Sequence, residues 1–249
     1  MIMPKRVEPQ SSPVRTPIAR HMRGLYAILD LGTLVARRLD PIAFADAVLS
    51  AEPAALQLRA KDATARETLA LLRVLAPMCK RSGVPLIAND RPDLAVAAGC
   101  DFVHVGQDDM SIGSVRQVAP DLGVGISTHT TEQLESALSL SPSYVAFGPV
   151  FQTVTKKAPA AVVGIAGLRA AHARAGSRGV PLVAIGGISH ERAQRIVGLA
   201  DAIAVISELL PPVAPGETRA SEVLAEVSLR ARALHELFAP GRGLVEDPR

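Results

Sequence analysis

The sequence is poor in aromatic residues and has no tryptophan, which narrows what the protein can bind. Aromatic side chains make up 3% of the 249 residues. Proteins that hold single-stranded nucleic acid stack its bases on aromatic rings, and this sequence offers no such surface. The formal net charge of the protein, +3, is also small for a protein that binds nucleic acid. We therefore expect no nucleic-acid binding.

Cysteines and long apolar runs are equally scarce. Cys79 and Cys100 have neither a CxxC spacing nor a histidine pair at metal-ligand intervals, and we expect two reduced thiols. No run of eighteen apolar residues occurs, which predicts no membrane span. The proline-rich first twenty residues lack the apolar stretch of a secretory signal. The sequence thus predicts a cytoplasmic protein without a membrane partner.

What the sequence does contain is an alternation of short apolar runs and helical segments. Hydrophobic residues make up 48% of the chain and are mostly aliphatic, which is typical of a parallel sheet covered by helices. Each apolar run is followed by a segment of helical composition. The eight runs are residues 25–29, 55–58, 85–88, 102–105, 124–127, 144–147, 181–185 and 202–206.

Eight strand–helix repeats predict an α/β fold, a single (β/α)8 TIM barrel, because closing the sheet removes both exposed edges. An open doubly wound sheet is the alternative. Residues 1–22 are predicted to form a flexible N-terminal tail and residues 23–210 the catalytic barrel. Residues 211–249 are predicted to form the final helix, over about 220–238, and a C-terminal tail.

Helix ends are marked by residues that favour capping. We predict helices over 64–82, 131–140 and 190–199, where apolar residues return every three or four positions. Thr131 and Ser189 are expected as N-caps. Gly83 is expected to end the first of these helices.

Polar residues follow the second run at alternate positions. Gln57, Arg59 and Lys61 are each separated by one residue, so an extended strand directs all three to one side. In a TIM barrel the strand C-termini and the loops after them converge on the face that carries the active site. Two cations and an amide at that face can bind phosphate oxygens. The alternative is that Arg59 and Lys61 are solvated residues leaving a strand.

Carboxylates follow the third and fourth runs. Asn89 and Asp90 come after one strand, and Asp108 and Asp109 after the next. Carboxylate oxygens from separate loops, with positions left for phosphate and water, are what Mg²⁺ requires. Asp90 and Asp109 are the predicted Mg²⁺ ligands, and Asn89 is placed to donate to a substrate oxygen. The alternative is that Asp90 begins a turn or caps the helix that follows, and that Asp108 and Asp109 cap the next helix.

Hydroxyl groups and glycines follow the last three strands. A long loop after the sixth run, residues 148–156, has two threonines and a lysine, the composition of a loop that closes on a phosphate. Gly186 and Gly187, with Ser207 after the eighth run, suit phosphate binding by backbone N–H groups. The alternatives are a surface loop and a tight turn.

In this order, the motifs resemble those of the thiamine-phosphate synthase family. They are residues 57–61, 89–90, 103–109, 125–127, 148–156, 184–188 and 205–207. The similarity runs from about residue 25 to residue 210. It implies a transferase that joins hydroxyethylthiazole phosphate to hydroxymethylpyrimidine pyrophosphate, giving thiamine phosphate and pyrophosphate. It also implies a dissociative, Mg²⁺-assisted route in which pyrophosphate leaves before the thiazole nitrogen attacks.

The same resemblance implies a role for each matching residue. The residues that assist pyrophosphate departure would be Arg59, Lys61 and Lys156. Contacts to the pyrophosphate or the pyrimidine would come from Gln57, Arg59, Lys61, Asn89, Ser127 and Lys156. The thiazole-phosphate side would comprise Thr153, Thr155, Gly187, Ile206 and Ser207. One departure is Leu29, which stands before Asp30 where the family often has threonine.

Two rival functions share parts of this pattern. A thiazole tautomerase-like paralogue would keep the barrel and the thiazole-phosphate site without the full pyrophosphate and metal apparatus. A non-catalytic sensor of thiamine precursors would keep the pocket. Asp90, Asp109 and Lys156 together favour the enzyme. Its expected partners are the two small-molecule substrates, and a homo-oligomer is compatible with the same residues.

Overall fold

A computed structural model describes residues 22–153, 161–212 and 219–238. Within these ranges the chain forms a closed barrel of eight parallel strands in sequence order. The strands are β1 (Gly24–Asp30), β2 (Ala55–Arg59), β3 (Leu86–Asn89), β4 (Phe102–Val105), β5 (Gly123–Thr128), β6 (Tyr144–Phe147), β7 (Leu182–Ile185) and β8 (Ala202–Val205). Because β8 pairs with β1, the TIM barrel is confirmed and the open sheet is excluded.

Helices connect the strands around the outside of the barrel. They are α1 (Leu31–Ala36), α2 (Pro41–Leu49), α3 (Ala65–Ser82), α4 (Pro92–Ala98), α5 (Ile112–Val118), α6 (Thr131–Ser139), α7 (Gly164–Ser177), α8 (His190–Gln194) and α9 (Ala220–Phe238). A 3₁₀ turn, Ser207–Leu209, follows β8. Over the described ranges, no helix is long and apolar enough to cross a membrane.

The predicted helix ends were correct at two places and wrong at two others. Ser189 caps α8 and Gly83 ends α3 in the left-handed region, as expected. The N-cap of α6 is Thr130 rather than Thr131, because Thr130 has the extended backbone and its side chain accepts from Gln133 N–H. Helix α8 ends five residues before the predicted limit, and Gly198, at φ 76°, turns the chain toward β8.

Alternation along the strands divides the core into two layers. Outward residues such as Leu56 and Leu58 pack against the helices. Inward residues fill the barrel itself, among them Tyr26, Phe102 and Tyr144. Met22, which the sequence assigns to the tail, is also buried in the interior layer. Small residues such as Ala202 balance the few rings, as close packing requires.

Two glycines of β5 make room for the large rings of the interior. In the strand register, Gly125 lies between His104 of β4 and Tyr144 of β6. A Cβ atom on Gly125 would lie 2.0 Å from Cζ of Tyr144, and one on Gly123 would lie 2.2 Å from Cδ1 of Phe102. Because these two glycines have no side chain, the Phe102 and Tyr144 rings can pack against β5 inside the barrel.

We expect Gly125→Ala to lower the free energy of unfolding by about 1–3 kcal/mol, because the added methyl group must displace the Tyr144 ring from a closely packed interior. The control is Gly176→Ala in α7, where no atom beyond the adjoining residues and the backbone of the helix itself lies within 4 Å of the new Cβ. That helix substitution should be neutral or stabilise by up to about 1 kcal/mol. Chemical denaturation measures both, and equal stability of the two variants would contradict the packing argument.

Candidate active site

A cavity of about 630 Å³ opens at the C-terminal ends of the strands. It gathers residues that are far apart in the sequence, because every strand of the closed barrel ends at this face. The predicted site residues that line it are Gln57, Arg59, Lys61, Asn89, Asp90, Asp109, Ser127, Thr153, Gly187, Ile206 and Ser207. Thr155 and Lys156 lie outside the described residues.

A chain of hydrogen bonds orients the amides at the floor of the cavity. The Tyr26 hydroxyl donates to Gln57 Oε1 at 2.5 Å. Gln57 Nε2 in turn donates to Asn89 Oδ1 at 2.7 Å. Since the Asn89 oxygen is occupied, its Nδ2 group is the part of the amide left to donate to a ligand. This orientation agrees with the donor role predicted for Asn89.

A second branch of the network joins two tyrosines, a histidine and a serine. The Tyr26 and Tyr144 hydroxyls are 2.9 Å apart. His104 contacts the Tyr144 hydroxyl through Nδ1 at 2.9 Å and Ser127 Oγ through Nε2 at 2.8 Å. Burial raises the pKa of both tyrosines, so both phenols stay protonated near neutral pH and act as hydrogen-bond donors. The hydrogen bond with His104 thus fixes the position of the Ser127 hydroxyl.

Sequence reasoning missed Tyr26, His104 and Tyr144 as members of the site. All three occupy inward positions of β1, β4 and β6, in phase with residues that line the cavity. The available signal was a polar-tipped ring within an otherwise aliphatic strand. In a chain so poor in aromatics, such a ring needs a partner for its polar atom when it is buried.

Arg59 is held at the rim by Asp30, the last residue of β1. The two side chains form an ion pair, and Asp30 is buried. Asp30 is also the N-cap of α1 and accepts from Thr33 N and Oγ1. Burial raises the pKa of Asp30, but the hydrogen bonds from Thr33 and the Arg59 guanidinium outweigh it and hold that pKa below its usual value. The guanidinium keeps further N–H groups for a second anion.

Asp90 and Asp109 approach each other from adjacent strands. Asp90 has a positive φ of 62°, a strained conformation that clusters at functional sites. Burial and the facing Asp109 carboxylate raise its pKa, whereas Lys61 lowers it; Lys61 Nζ lies 3.4 Å from Asp90 Oδ2. Asp109 accepts from Gly106 N–H at 2.7 Å. Two like charges in one place favour a bound cation.

The alternative that these aspartates cap helices is wrong. The residue at the N-cap of α4 is Arg91, and Asp90 makes no capping bond to that helix. The N-cap of α5 is Ser111, whose side chain accepts from Ser114 N–H. Neither carboxylate is therefore used to cap α4 or α5, and both line the cavity.

The carboxylate pair suits Mg²⁺ by its chemistry. Its donors are hard oxygens from two loops, which Mg²⁺ prefers. Over residues 22–153, 161–212 and 219–238, no group of three His, Cys, Asp or Glu side chains could hold a metal ion. Mg²⁺ does not need one, since it is commonly bound by one or two carboxylates together with substrate phosphates and water.

On the opposite side of the cavity, the loops after β6 and β7 pair through their backbones. Val150 N–H donates to Ile185 O at 2.8 Å, and Phe151 N–H donates to Gly186 O at 3.1 Å. Gly187 has φ 65°, and a Cβ there would lie 2.3 Å from Gln152 O. Only glycine permits this approach.

The same pair of loops leaves backbone donors at the cavity wall. Gly187 and Ile188 line the cavity, and their N–H groups have no hydrogen-bond acceptor in the described part of the chain. Backbone N–H groups after strands seven and eight of a TIM barrel are frequent phosphate ligands. Ser207, at the start of the 3₁₀ turn after β8, adds a hydroxyl to this wall.

Comparisons with known proteins agree with this geometry. A family model described as thiamine monophosphate synthase matches residues 25–209. A thiamine-phosphate synthase of Koribacter versatilis is 44% identical over 187 residues, which cover 73% of this chain and 83% of that protein. Its counterpart from Chloroflexus aurantiacus is 36% identical over 187 residues, 75% of this chain and 84% of that protein.

A solved structure shows the same likeness. The thiamine phosphate pyrophosphorylase from Pyrococcus furiosus superposes with a TM-score of 0.72 at 29% identity, over 88% of this chain and 96% of that one. The matched family model begins within β1 and ends at the 3₁₀ turn after β8, so it reaches all eight strands. The chain therefore belongs to the thiamine monophosphate synthase family, a family of transferases.

Proposed function

We propose that the protein joins hydroxymethylpyrimidine pyrophosphate to hydroxyethylthiazole phosphate, giving thiamine phosphate and pyrophosphate. The observation that carries the proposal is the meeting of cationic, acidic and phosphate-binding residues in one cavity. Cations and carboxylates lie on the side of β2 to β4, and the glycine loops lie on the side of β6 to β8. Two substrates with different charged groups can therefore bind side by side.

The first chemical step would break the bond between the pyrimidine methylene carbon and the pyrophosphate oxygen. The electron pair leaves with pyrophosphate, and the methylene carbon becomes a carbocation. Arg59 and Lys61 would stabilise the charge that develops on the leaving oxygens, with Lys156 from the loop after β6. Arg59 is already fixed by Asp30, so little reorganisation is needed as the charge forms.

Asp90 and Asp109 are the residues that would hold Mg²⁺. When bound there, Mg²⁺ would supply Lewis-acid stabilisation of the pyrophosphate oxygens. Lys61, which contacts Asp90, would then lie beside both the metal ligands and the leaving group. Gln57, Asn89 and Ser127 would hold the pyrimidine, since the hydrogen bonds to Tyr26 and His104 fix their orientation.

The second step would form the bond between the methylene carbon and the thiazole nitrogen. The nitrogen donates its lone pair and acquires the positive charge of the thiazolium product. Gly187, Ile206 and Ser207 would bind the thiazole phosphate, together with Thr153 and Thr155. This chemistry needs no nucleophilic side chain, since the attacking atom belongs to the substrate.

Purified protein should form thiamine phosphate from the two phosphorylated precursors with Mg²⁺ present. Chelation of the metal should abolish product formation, and added Mg²⁺ should restore it, because the carboxylate pair would otherwise repel the pyrophosphate. Chromatographic detection of thiamine phosphate measures the outcome. Normal binding of both precursors without any product would support a sensor and refute the proposed reaction.

Asp109→Ala should lower kcat by about 100-fold or more, while the Kd for thiazole phosphate stays nearly unchanged, because the carboxylate acts on the leaving group. Steady-state kinetics and calorimetric titration separate the two effects. The matched control is Asp93→Ala on α4, an exposed carboxylate that pairs with Arg91 outside the cavity. Equal losses in turnover and thiazole-phosphate binding would remove Asp109 from the metal site.

Lys156→Ala should slow pyrophosphate departure by about 100-fold in a single turnover, because one cation is lost from the leaving group. The neighbouring lysine provides the control, and Lys157→Ala should leave the rate close to that of the unaltered protein. Rapid quench with excess enzyme measures the chemical step directly. An unchanged single-turnover rate for Lys156→Ala would exclude this residue from the reaction.

A further inference from the structure

Arg192 of α8 contacts both loops on the phosphate side of the cavity without lining the cavity itself. Its Nη1 group donates to Gly187 O at 2.7 Å. Its guanidinium carbon also lies 5.3 Å from the centre of the Phe151 ring, within the range of a cation–π contact. The side chain is half-buried, so both contacts are partly shielded from water.

The hydrogen bond to Gly187 O fixes the plane of one peptide group. In a trans peptide, the carbonyl and the next N–H point in opposite directions. The Gly187 carbonyl is turned outward to Arg192, so the Ile188 N–H is turned to the other side, where Gly187 and Ile188 line the cavity. Glycine can adopt many backbone conformations, including the φ of 65° observed at Gly187. The bond to Arg192 restricts this range.

The contact with Phe151 extends the same restraint to the loop after β6. Phe151 is bound to Gly186 through its backbone, and Thr153, two residues later, lines the cavity. Arg192 therefore joins the two loops that carry the phosphate-binding groups.

The charge of Arg192 is also unpaired, because no carboxylate in the described part of the chain lies within ion-pair distance. A net positive charge behind backbone N–H groups favours an anion in front of them.

We propose that Arg192 is a positioning residue for the phosphate group of the thiazole substrate. It acts through the Gly187–Ile188 peptide and through Phe151. The inference rests on the proposed function for the identity of the ligand, and on the described contacts for the role of the arginine.

Arg195 provides a matched control on the same helix. Its guanidinium carbon lies 5.8 Å from the centre of the same Phe151 ring, but it is exposed and makes no hydrogen bond to either loop in the described residues. Replacing either arginine by methionine removes one positive charge and keeps a long apolar stem. Only Arg192→Met also removes the bond to Gly187 O.

Arg192→Met should raise the KM and the Kd for hydroxyethylthiazole phosphate by about tenfold, the effect of losing one charged hydrogen bond. The KM for the pyrimidine pyrophosphate and kcat should change by less than about twofold, as should all constants of Arg195→Met. Arg192→Lys, which keeps the charge without the planar guanidinium, should give an intermediate Kd. Steady-state kinetics and calorimetry with the thiazole phosphate give these values.

A purely structural role would instead lower the melting temperature and kcat without a selective change in one KM, and that result would overturn the proposal. Equal effects of Arg192→Met and Arg195→Met would also overturn it. If Arg192→Met fails to fold, Phe151→Leu should raise the same Kd by a smaller factor, and an unchanged Kd would count against the role. Calorimetry needs no turnover, so selective weakening in a protein that makes no thiamine phosphate would refute the reaction and leave the positioning role standing.

Discussion

The pairing of β8 with β1 is the constraint on which the rest of the structure depends. Once the sheet closes, each strand has one face toward the helices and one toward a narrow interior, and all strand C-termini meet at one end. The interior is too narrow for large side chains on every strand. Gly125 therefore faces the Tyr144 ring, and that ring places a hydroxyl beneath the cavity. Packing and site geometry thus follow from the same closure.

The site holds its charged groups in pairs before any ligand arrives. Arg59 is paired with Asp30, and Lys61 with Asp90, so both cations have defined positions at the rim. The polar floor is arranged by the Tyr26 and Tyr144 hydroxyls in a similar way. Fixed dipoles and charges are more effective than mobile ones, because their reorganisation is completed during folding. The ion pairs and hydrogen bonds that form during folding thus fix the cavity in advance.

The strands and most of the cavity could be predicted from the sequence because they depend on local patterns. Alternation placed Gln57 and Arg59 on one side of β2, and barrel geometry placed Asp90 and Asp109 at the same end. The pairing of Arg59 with Asp30 could not be read in this way, since it joins residues on different strands. The same limit hides the part that Tyr26 and Tyr144 play in the site, since the partners of their hydroxyls lie on other strands.

Other errors arose where two residues are chemically equivalent or a role depends on three-dimensional contacts. Thr130 and Thr131 are equally good N-caps by type, and only the backbone conformation selects the first. Arg192 belongs to a short polar helix, where a cation is ordinarily a solvated residue. Its contacts with Gly187 and Phe151 come from loops that lie next to each other only in the folded barrel.

The hydrogen-bonded tyrosine pair gives this protein an optical property. The chain has two tyrosines and no tryptophan; Tyr26 lines the cavity and Tyr144 is buried beside it, with the two hydroxyls 2.9 Å apart. Its near-ultraviolet absorption, circular dichroism and intrinsic fluorescence therefore originate mainly from this one place, with only weak signals from phenylalanine. In most proteins these spectra average over many aromatic side chains. Here they report on the interior directly beneath the site.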